Sequence, residues 1–270
     1  MAYFTNKIIW VTGASSGIGE ALVYELAKKK GVKLVLSSRR KEELERVKGN
    51  CPHEIQANVR ILPLDLAQPD TLKLSTEVAI QFFGHIDILI NNGGISQRSL
   101  AKDTQLSVDR HVMEVDYFGT IALTKYLLPH FLQRKTGHYV TVSSVMGIIG
   151  TPYRSGYAAA KHALHGFFDS LRAELWNECK SIYVTIICPG WVHTNVTLNA
   201  LTGDGSKLNH MDKTTEQGLT PKHCAIKILE AIQKKKEEAY IGGAKEVFAV
   251  YLKRFLPKMF SRAVRKLSVR

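Results

Sequence analysis

Short apolar runs alternate with amphipathic stretches along the first 244 residues, and this alternation sets the fold class. Residues 7–12 (Lys-Ile-Ile-Trp-Val-Thr) are apolar without in–out alternation, which predicts a strand covered on both faces. A glycine-rich turn follows, after which Ile18, Leu22 and Leu26 recur at helical spacing. Residues 33–37 predict a second strand and the charged residues 41–48 a helix. The rhythm continues with a strand over 60–64, a helix over 71–83 and a strand over 86–90. A long helix is predicted from 108 to 132, with Val112, Val115, Gly119, Ala122 and Tyr126 on one face. Then come a strand at 139–142, a helix at 156–176 and a strand at 183–187. Residues 193–220 are polar and irregular, and a helix over 221–236 leads into a short strand at 239–241.

Strands alternating with helices at this spacing specify an α/β fold, a doubly wound parallel sheet with helices on both faces. No repeat or low-complexity linker interrupts it, so residues 1–244 read as one domain and 245–270 as a C-terminal helical appendage. A length of 270 residues fits one large domain. With 45% hydrophobic and 23% charged residues, a disordered or collagen-like chain is excluded. Cys51, Cys179, Cys188 and Cys224 form no C-x-x-C pair, and no histidines cluster at zinc-ligand spacing. Reduced thiols on the cytoplasmic side and no metal site are therefore expected.

The longest uncharged stretch, residues 181–203, contains Pro189, Gly190, Asn195 and Asn199 and reads as a strand plus a loop, not a membrane span. The first strand starts so close to Met1 that no secretory signal is expected. Charge does change the picture. There are 37 basic against 24 acidic side chains, a net +13. Eight of the cations (Lys245, Lys253, Arg254, Lys258, Arg262, Arg265, Lys266 and Arg270) lie in 245–270 against Glu246 alone. Such a tail fits an anionic surface or a solvated helix. No reader helix or RNA-binding aromatic motif accompanies it, so nucleic acid is not the expected partner.

Chemistry enters with Thr12-Gly13-Ala14-Ser15-Ser16-Gly17-Ile18-Gly19, placed between a strand and a helix. Glycines there let the backbone turn tightly and approach a pyrophosphate at the helix N-terminus. The acid that binds an unphosphorylated adenosine ribose belongs about twenty residues on. Ser38 stands there instead, followed by Arg39, Arg40 and Lys41. No carboxylate repels a 2′-phosphate and Arg39 can hold one, so NADP is expected over NAD, with Arg40 and Lys41 in solvent. Tyr157-Ala-Ala-Ala-Lys161 puts a phenol and an ammonium on one helix face, thirteen residues after Ser144. A phenol is a poor acid–base catalyst near pH 7, and an adjacent ammonium favours its phenolate.

In this order the motifs resemble those of the short-chain dehydrogenases/reductases, over at least residues 5–245. The matching elements are Thr12–Gly19, Asp65-Leu66, Asn91-Asn92-Gly93-Gly94, Ser144, Tyr157, Lys161 and Pro189-Gly190 followed by Thr194. More narrowly, residues 91–99 and 161–168 resemble the member-seven subgroup of the dehydrogenase/reductase group, related to 11β-hydroxysteroid dehydrogenase. The resemblance implies a Rossmann-type fold, an NADP(H)-dependent oxidoreductase, an apolar carbonyl or secondary alcohol as substrate, and a homo-oligomer. It implies Tyr157 as general acid or base, Ser144 on the substrate oxygen and Lys161 on the nicotinamide ribose. Asp65 would meet adenine, Asn91 the adenosine ribose and Thr194 the nicotinamide end. Gly13, Ser15, Ser16, Gly17, Ile18, Gly19, Arg39, Leu66, Pro189, Gly190 and Val192 complete the expected cofactor set.

Two departures stand out. Gly93 replaces the usual alanine, a change expected to do little harm, and Asp116 replaces the asparagine that completes the family's tetrad. Asp116 is therefore left out of the catalytic set, with pairing to Lys161 as one of its readings. A fold kept as a cofactor sensor is the alternative function. Val145, Met146, Tyr153, Trp191 and residues 195–218 are the expected substrate pocket. In the tail, Phe248, Tyr251, Leu252, Phe255, Met259 and Phe260 recur at three- and four-residue steps around Pro257. This stripe has two readings, a peripheral membrane contact, as at the endoplasmic reticulum, or packing on the pocket mouth or a second subunit.

Overall fold

The computed structural model describes residues 2–265. After a 3-10 turn at Ala2–Phe4, the chain runs through β1 (Ile8–Thr12), α1 (Gly17–Ala27), β2 (Lys33–Ser38), α2 (Lys41–Gly49) and the short α3 (His53–Gln56). Next come β3 (Val59–Pro63), α4 (Pro69–Gln81), β4 (Ile88–Asn91) and α5 (Leu106–Met113). One π-helical turn, Glu114–Phe118, joins α5 to α6 (Gly119–Arg134). β5 (Gly137–Val142), α7 (Ser155–Glu178), β6 (Ile182–Pro189) and the one-turn α8 (Lys213–Glu216) follow. α9 (Pro221–Gln233), β7 (Glu238–Ile241), α10 (Ala244–Phe255) and α11 (Pro257–Val264) complete the described chain.

The seven strands form one parallel sheet in the order β3-β2-β1-β4-β5-β6-β7. β1 is buried along its whole length because its two faces enter two different cores. Ile9 and Val11 pack with Leu22 and Leu26 of α1 and Ile228 and Ile232 of α9. Ile8 and Trp10 pack with Leu72 of α4, Leu123 and Leu127 of α6 and Phe168 of α7. This is why β1 reads as a continuous apolar run. The chain reverses direction across the sheet between β1 and β4. In such sheets ligands bind at that switch point, outside the carboxyl ends of the strands.

The helix expected over 108–132 extends from Leu106 to Arg134, but its face is not the expected one. Val112 and Val115 are buried, whereas Ala122 is only half-buried and Tyr126 is exposed. Leu123, Thr124, Leu127 and Phe131 face the core instead. The π turn inserts one residue and rotates everything after it, which a 3.6-residue period cannot anticipate.

Pro257 ends α10 and opens α11, which restarts the helix as expected. The apolar stripe divides between them. Val250 and Phe260 are buried with Val145, Met146, Ile149 and Ala158, and Leu252 packs against that cluster. Phe248, Tyr251, Phe255, Leu256 and Met259 face outward and are more than half exposed. Lys266 and Arg270 of the expected basic tail lie outside the described residues.

Candidate active site

The carboxyl ends of β1, β4, β5 and β6 surround a cavity of about 530 Å³. Its floor is the junction of the first turn with the loop after β4. Thr12 Oγ1 accepts from the backbone N–H groups of Asn92 and Gly93, both at 3.0 Å. Asn92 Nδ2 returns bonds to the carbonyls of Thr12 (3.1 Å) and Gly13 (3.3 Å). Gly17 opens α1 with φ +59, a backbone state that favours glycine. A Cβ there would lie 3.1 Å from Thr194 Cγ2, so the gap between the first turn and the segment after β6 is one glycine wide. A Cβ on Gly93 would lie 2.7 Å from Leu66 Cδ1, the end of a side chain that would have to move aside.

Ser144 follows β5 and caps the 3-10 turn Val145–Gly147. Its Oγ accepts from the Met146 N–H (3.1 Å) and donates to the Pro189 carbonyl (3.4 Å). Tyr157 and Lys161 stand one turn apart on α7, with Lys161 Nζ 5.7 Å from the centroid of the Tyr157 ring. Lys161 Nζ donates to the Val142 carbonyl at 3.3 Å and pairs with Asp116 Oδ2 at 3.1 Å. The π turn carries Asp116 to this place with no exposed surface, and its Oδ1 accepts from the Ile95 N–H at 2.7 Å. Burial pulls the Lys161 ammonium down, but the Asp116 carboxylate more than offsets it and holds Lys161 above its ordinary range. For Asp116, burial outweighs Lys161 and the Ile95 N–H and holds its carboxyl above the ordinary range. The Ile95 N–H and the Lys161 ammonium are the two donors that fix its position.

Ser144, Tyr157 and Lys161 all line this one cavity, together with Gly13, Ser15, Ser16, Gly17, Ile18, Arg39, Asp65, Leu66, Pro189, Gly190, Val192 and Thr194. Gly19 and Asn91 do not. Gly19 is buried in the turn, and Asn91 faces inward, where its Nδ2 donates to Thr124 Oγ1 at 3.1 Å. Arg40 is exposed, as expected, and also lines the cavity, where it donates to Ser15 Oγ at 3.3 Å because β2 ends beside β1 and brings residue 40 against the first turn. Of the expected substrate pocket, Val145, Met146, Trp191 and seven residues of 195–218 line the cavity, but Tyr153 does not. Tyr153 takes a left-handed backbone (φ +65) just before α7.

Two groups were not anticipated from the sequence. Arg98 and Arg154, from segments 56 positions apart, meet Asp212 at the cavity wall. Beneath Ser144, Glu238 Oε1 lies 3.4 Å from His165 Nδ1, and His165 Nε2 lies 3.1 Å from Ser143 Oγ, which donates to the Lys161 carbonyl. Cys188 Sγ is 3.7 Å from the same His165 nitrogen. Cys188, His165 and Glu238 thus form a group with metal-ligand chemistry that linear spacing did not reveal.

The model of the short chain dehydrogenase family matches residues 7–204. The chain belongs to that family. A dehydrogenase/reductase SDR family member 7B from Bos taurus is 44% identical over 268 residues, covering 97% of this chain and 81% of its own. A dehydrogenase/reductase SDR family member 7 from Homo sapiens is 44% identical over 256 residues, covering 94% and 75%. The subgroup likeness seen at residues 91–99 and 161–168 therefore runs through nearly the whole short-chain dehydrogenase chain. A solved short chain dehydrogenase/reductase from Burkholderia phymatum, in complex with NAD, has the same fold, with a TM-score of 0.84 at 21% identity over 96% of each chain. A short-chain dehydrogenase from Streptomyces avermitilis gives 0.79 at 25% identity over 96% of each chain. The protein is thus an oxidoreductase of the short-chain dehydrogenase family, which implies a nicotinamide cofactor. Its residues fit one, since Gly17 leaves a cradle that a Cβ would fill and a buried ammonium lines the cavity beyond it.

Proposed function

We propose that this short-chain dehydrogenase uses NADP(H) to interconvert a carbonyl and a secondary alcohol on a largely apolar skeleton, such as a steroid, a retinoid, or a lipid-derived or xenobiotic ketone. The observation that carries this reading is the convergence of Ser144, Tyr157 and Lys161 on the cavity that also holds the glycine turn. When bound, the nicotinamide supplies or accepts the hydride. The Tyr157 hydroxyl gives its proton to the carbonyl oxygen in reduction and takes it back in oxidation. Ser144 Oγ, oriented by the Met146 N–H, turns its one proton from the Pro189 carbonyl to the same oxygen. Lys161 holds the nicotinamide ribose and supplies a fixed positive charge beside the phenol. Ile95, Val115, Val145, Met146, Trp191 and Val196 provide the apolar walls.

Preference for the 2′-phosphorylated cofactor is read from Ser38 at the end of β2, where no acid stands, and from Arg39 beside it at the edge of the cavity. The deciding experiment measures NADPH and NADH binding, then NADPH oxidation across steroid, retinoid and small ketone substrates. Tight NADPH binding with turnover of an apolar ketone is expected. Binding without turnover of any of them favours the cofactor-sensor alternative.

We further propose a peripheral contact with anionic membrane through the outward face of α10 and α11. Phe248, Tyr251, Phe255 and Met259 are exposed there among Lys245, Arg254, Lys258 and Arg262. No described helix is long and apolar enough to cross a membrane. A homo-oligomer through α6 and α7 is proposed on the exposed Phe118, Tyr126 and Trp176, and light scattering tests it.

A further inference from the structure

The substrate side of the cavity carries two buried guanidinium groups to which an apolar skeleton offers no polar contact. Arg98 and Arg154 line it with side chains only 8% and 1% exposed. Both donate to a single acceptor, Asp212 Oδ2, Arg98 through Nε at 3.0 Å and Arg154 through Nη2 at 3.1 Å. Asp212 is itself nearly buried. Two guanidinium groups thus converge on one carboxylate where little water reaches, a setting in which a charge-assisted contact to a bound anion is strong. Lys207 adds another cation to the lining. Asp65 is the one carboxylate among the described lining residues, and it follows β3 at the far edge of the sheet.

The pair is also held in place. Arg98 Nη1 donates to Ser96 Oγ and the Gln97 carbonyl. The Arg154 guanidinium lies 4.9 Å from the centroid of Trp191, which lines the same cavity. Burial, and then the Arg98 charge, lower Arg154 to about 10 against the pull of Asp212 and Tyr157. Arg154 also precedes Tyr157 by three residues and interacts with it electrostatically. An anion on the arginines therefore sits within one small molecule's reach of the Tyr157 hydroxyl.

We propose that the substrate carries an anionic group, a carboxylate, sulfate or phosphate, that docks on Arg98 and Arg154 while its carbonyl meets Tyr157. This rests on reading the cavity as the substrate site, and it replaces a wholly apolar substrate with an amphiphilic one. Forked guanidinium donors recognise all three anions, and a charge-assisted contact strengthens binding by about tenfold or more.

Binding and turnover are read separately in the test. The NADP+ complex, which cannot reduce a ketone, is titrated with para-benzoylbenzoate, its neutral methyl ester, and the sulfate and phosphate monoesters of para-hydroxybenzophenone, following tryptophan fluorescence, since Trp191 lines the cavity. At least one anion is expected to bind about tenfold or more tighter than the ester, and inorganic sulfate should weaken the anion selectively. The rank among the three anions identifies the headgroup. Arg98→Gln and Arg154→Gln should bring the anion-to-ester ratio close to one, whereas Asp212→Asn should raise it. A role confined to pinning the 193–220 loop would not produce that rise. An ester that binds the wild-type protein as tightly as every anion overturns the proposal, as does a preference that survives both arginine variants. NADPH oxidation with the same ligands reports on the redox reading. Tight anion binding without turnover upholds the arginine site and counts against the oxidoreductase reading of this cavity.

Discussion

Lys161 Nζ and Asp116 Oδ2 stand 3.1 Å apart with almost no exposed surface. The family's asparagine position therefore holds the counter-ion of the active-site lysine. The Ile95 N–H bond to Asp116 Oδ1 fixes the carboxylate from the other side.

Asp116→Asn removes that counter-ion. Removing one partner of a buried pair leaves the other uncompensated, so stability should fall by on the order of 3 kcal/mol in urea unfolding. Turnover per folded molecule should be equal or higher, because the amide keeps the shape and no carboxylate then competes with Tyr157 for the lysine. Unchanged stability with a large loss of turnover would show that the carboxylate itself takes part in the reaction.

Cofactor choice is checked at the edge of β2. Arg39→Ala should weaken NADPH binding by on the order of 1.5–3 kcal/mol and leave NADH nearly unaffected. Arg40 donates to Ser15 Oγ in the first turn, so Arg40→Ala should weaken both cofactors by about 1 kcal/mol. Calorimetric titration separates the two patterns, and equal losses for both cofactors in Arg39→Ala remove the 2′-phosphate assignment.

Gly93 and Leu66 share one small space. Gly93→Ala should destabilise the protein by about 1 kcal/mol, and adding Leu66→Val should recover most of it. Thermal melts of the single and double variants check this. Additive losses would mean that the two positions do not share the space.

The two faces of the tail separate two roles. Replacing Phe248, Phe255 and Met259 with serine should abolish co-sedimentation with anionic liposomes while leaving stability within about 0.5 kcal/mol, as for exposed positions generally. Phe260→Ala removes a buried ring from the cluster of Val145 and Met146, and should cost on the order of 3 kcal/mol. Liposome binding that survives the triple substitution would refute the membrane face.

Most of the architecture was legible in the sequence because each local pattern agreed with the next. The continuous apolar β1, the glycine turn and the spacing of Ser144, Tyr157 and Lys161 each report short-range geometry, and they place those residues on one cavity. Three features were not legible. The π turn leaves no mark on an apolar period, so the face of α6 and the burial of Asp116 are visible only in the fold. Arg98, Arg154 and Asp212 come from three loops and look like ordinary surface charge until the fold joins them. The tail's stripe looked like one surface, because a sequence cannot show that Pro257 turns Phe260 inward while Phe255 stays outside.

Replacing Tyr157 with phenylalanine tests the central claim most directly, since the ring stays and only the proton-carrying hydroxyl is lost. Single-turnover oxidation of NADPH by a ketone that the wild-type protein reduces should slow by on the order of a thousandfold, within the range of a lost acid–base group. NADPH affinity should stay within about twofold, since the hydroxyl removed is not needed to seat the cofactor. A Tyr157→Phe variant that turns over at near wild-type rate, with its cofactor bound as before, would contradict the account.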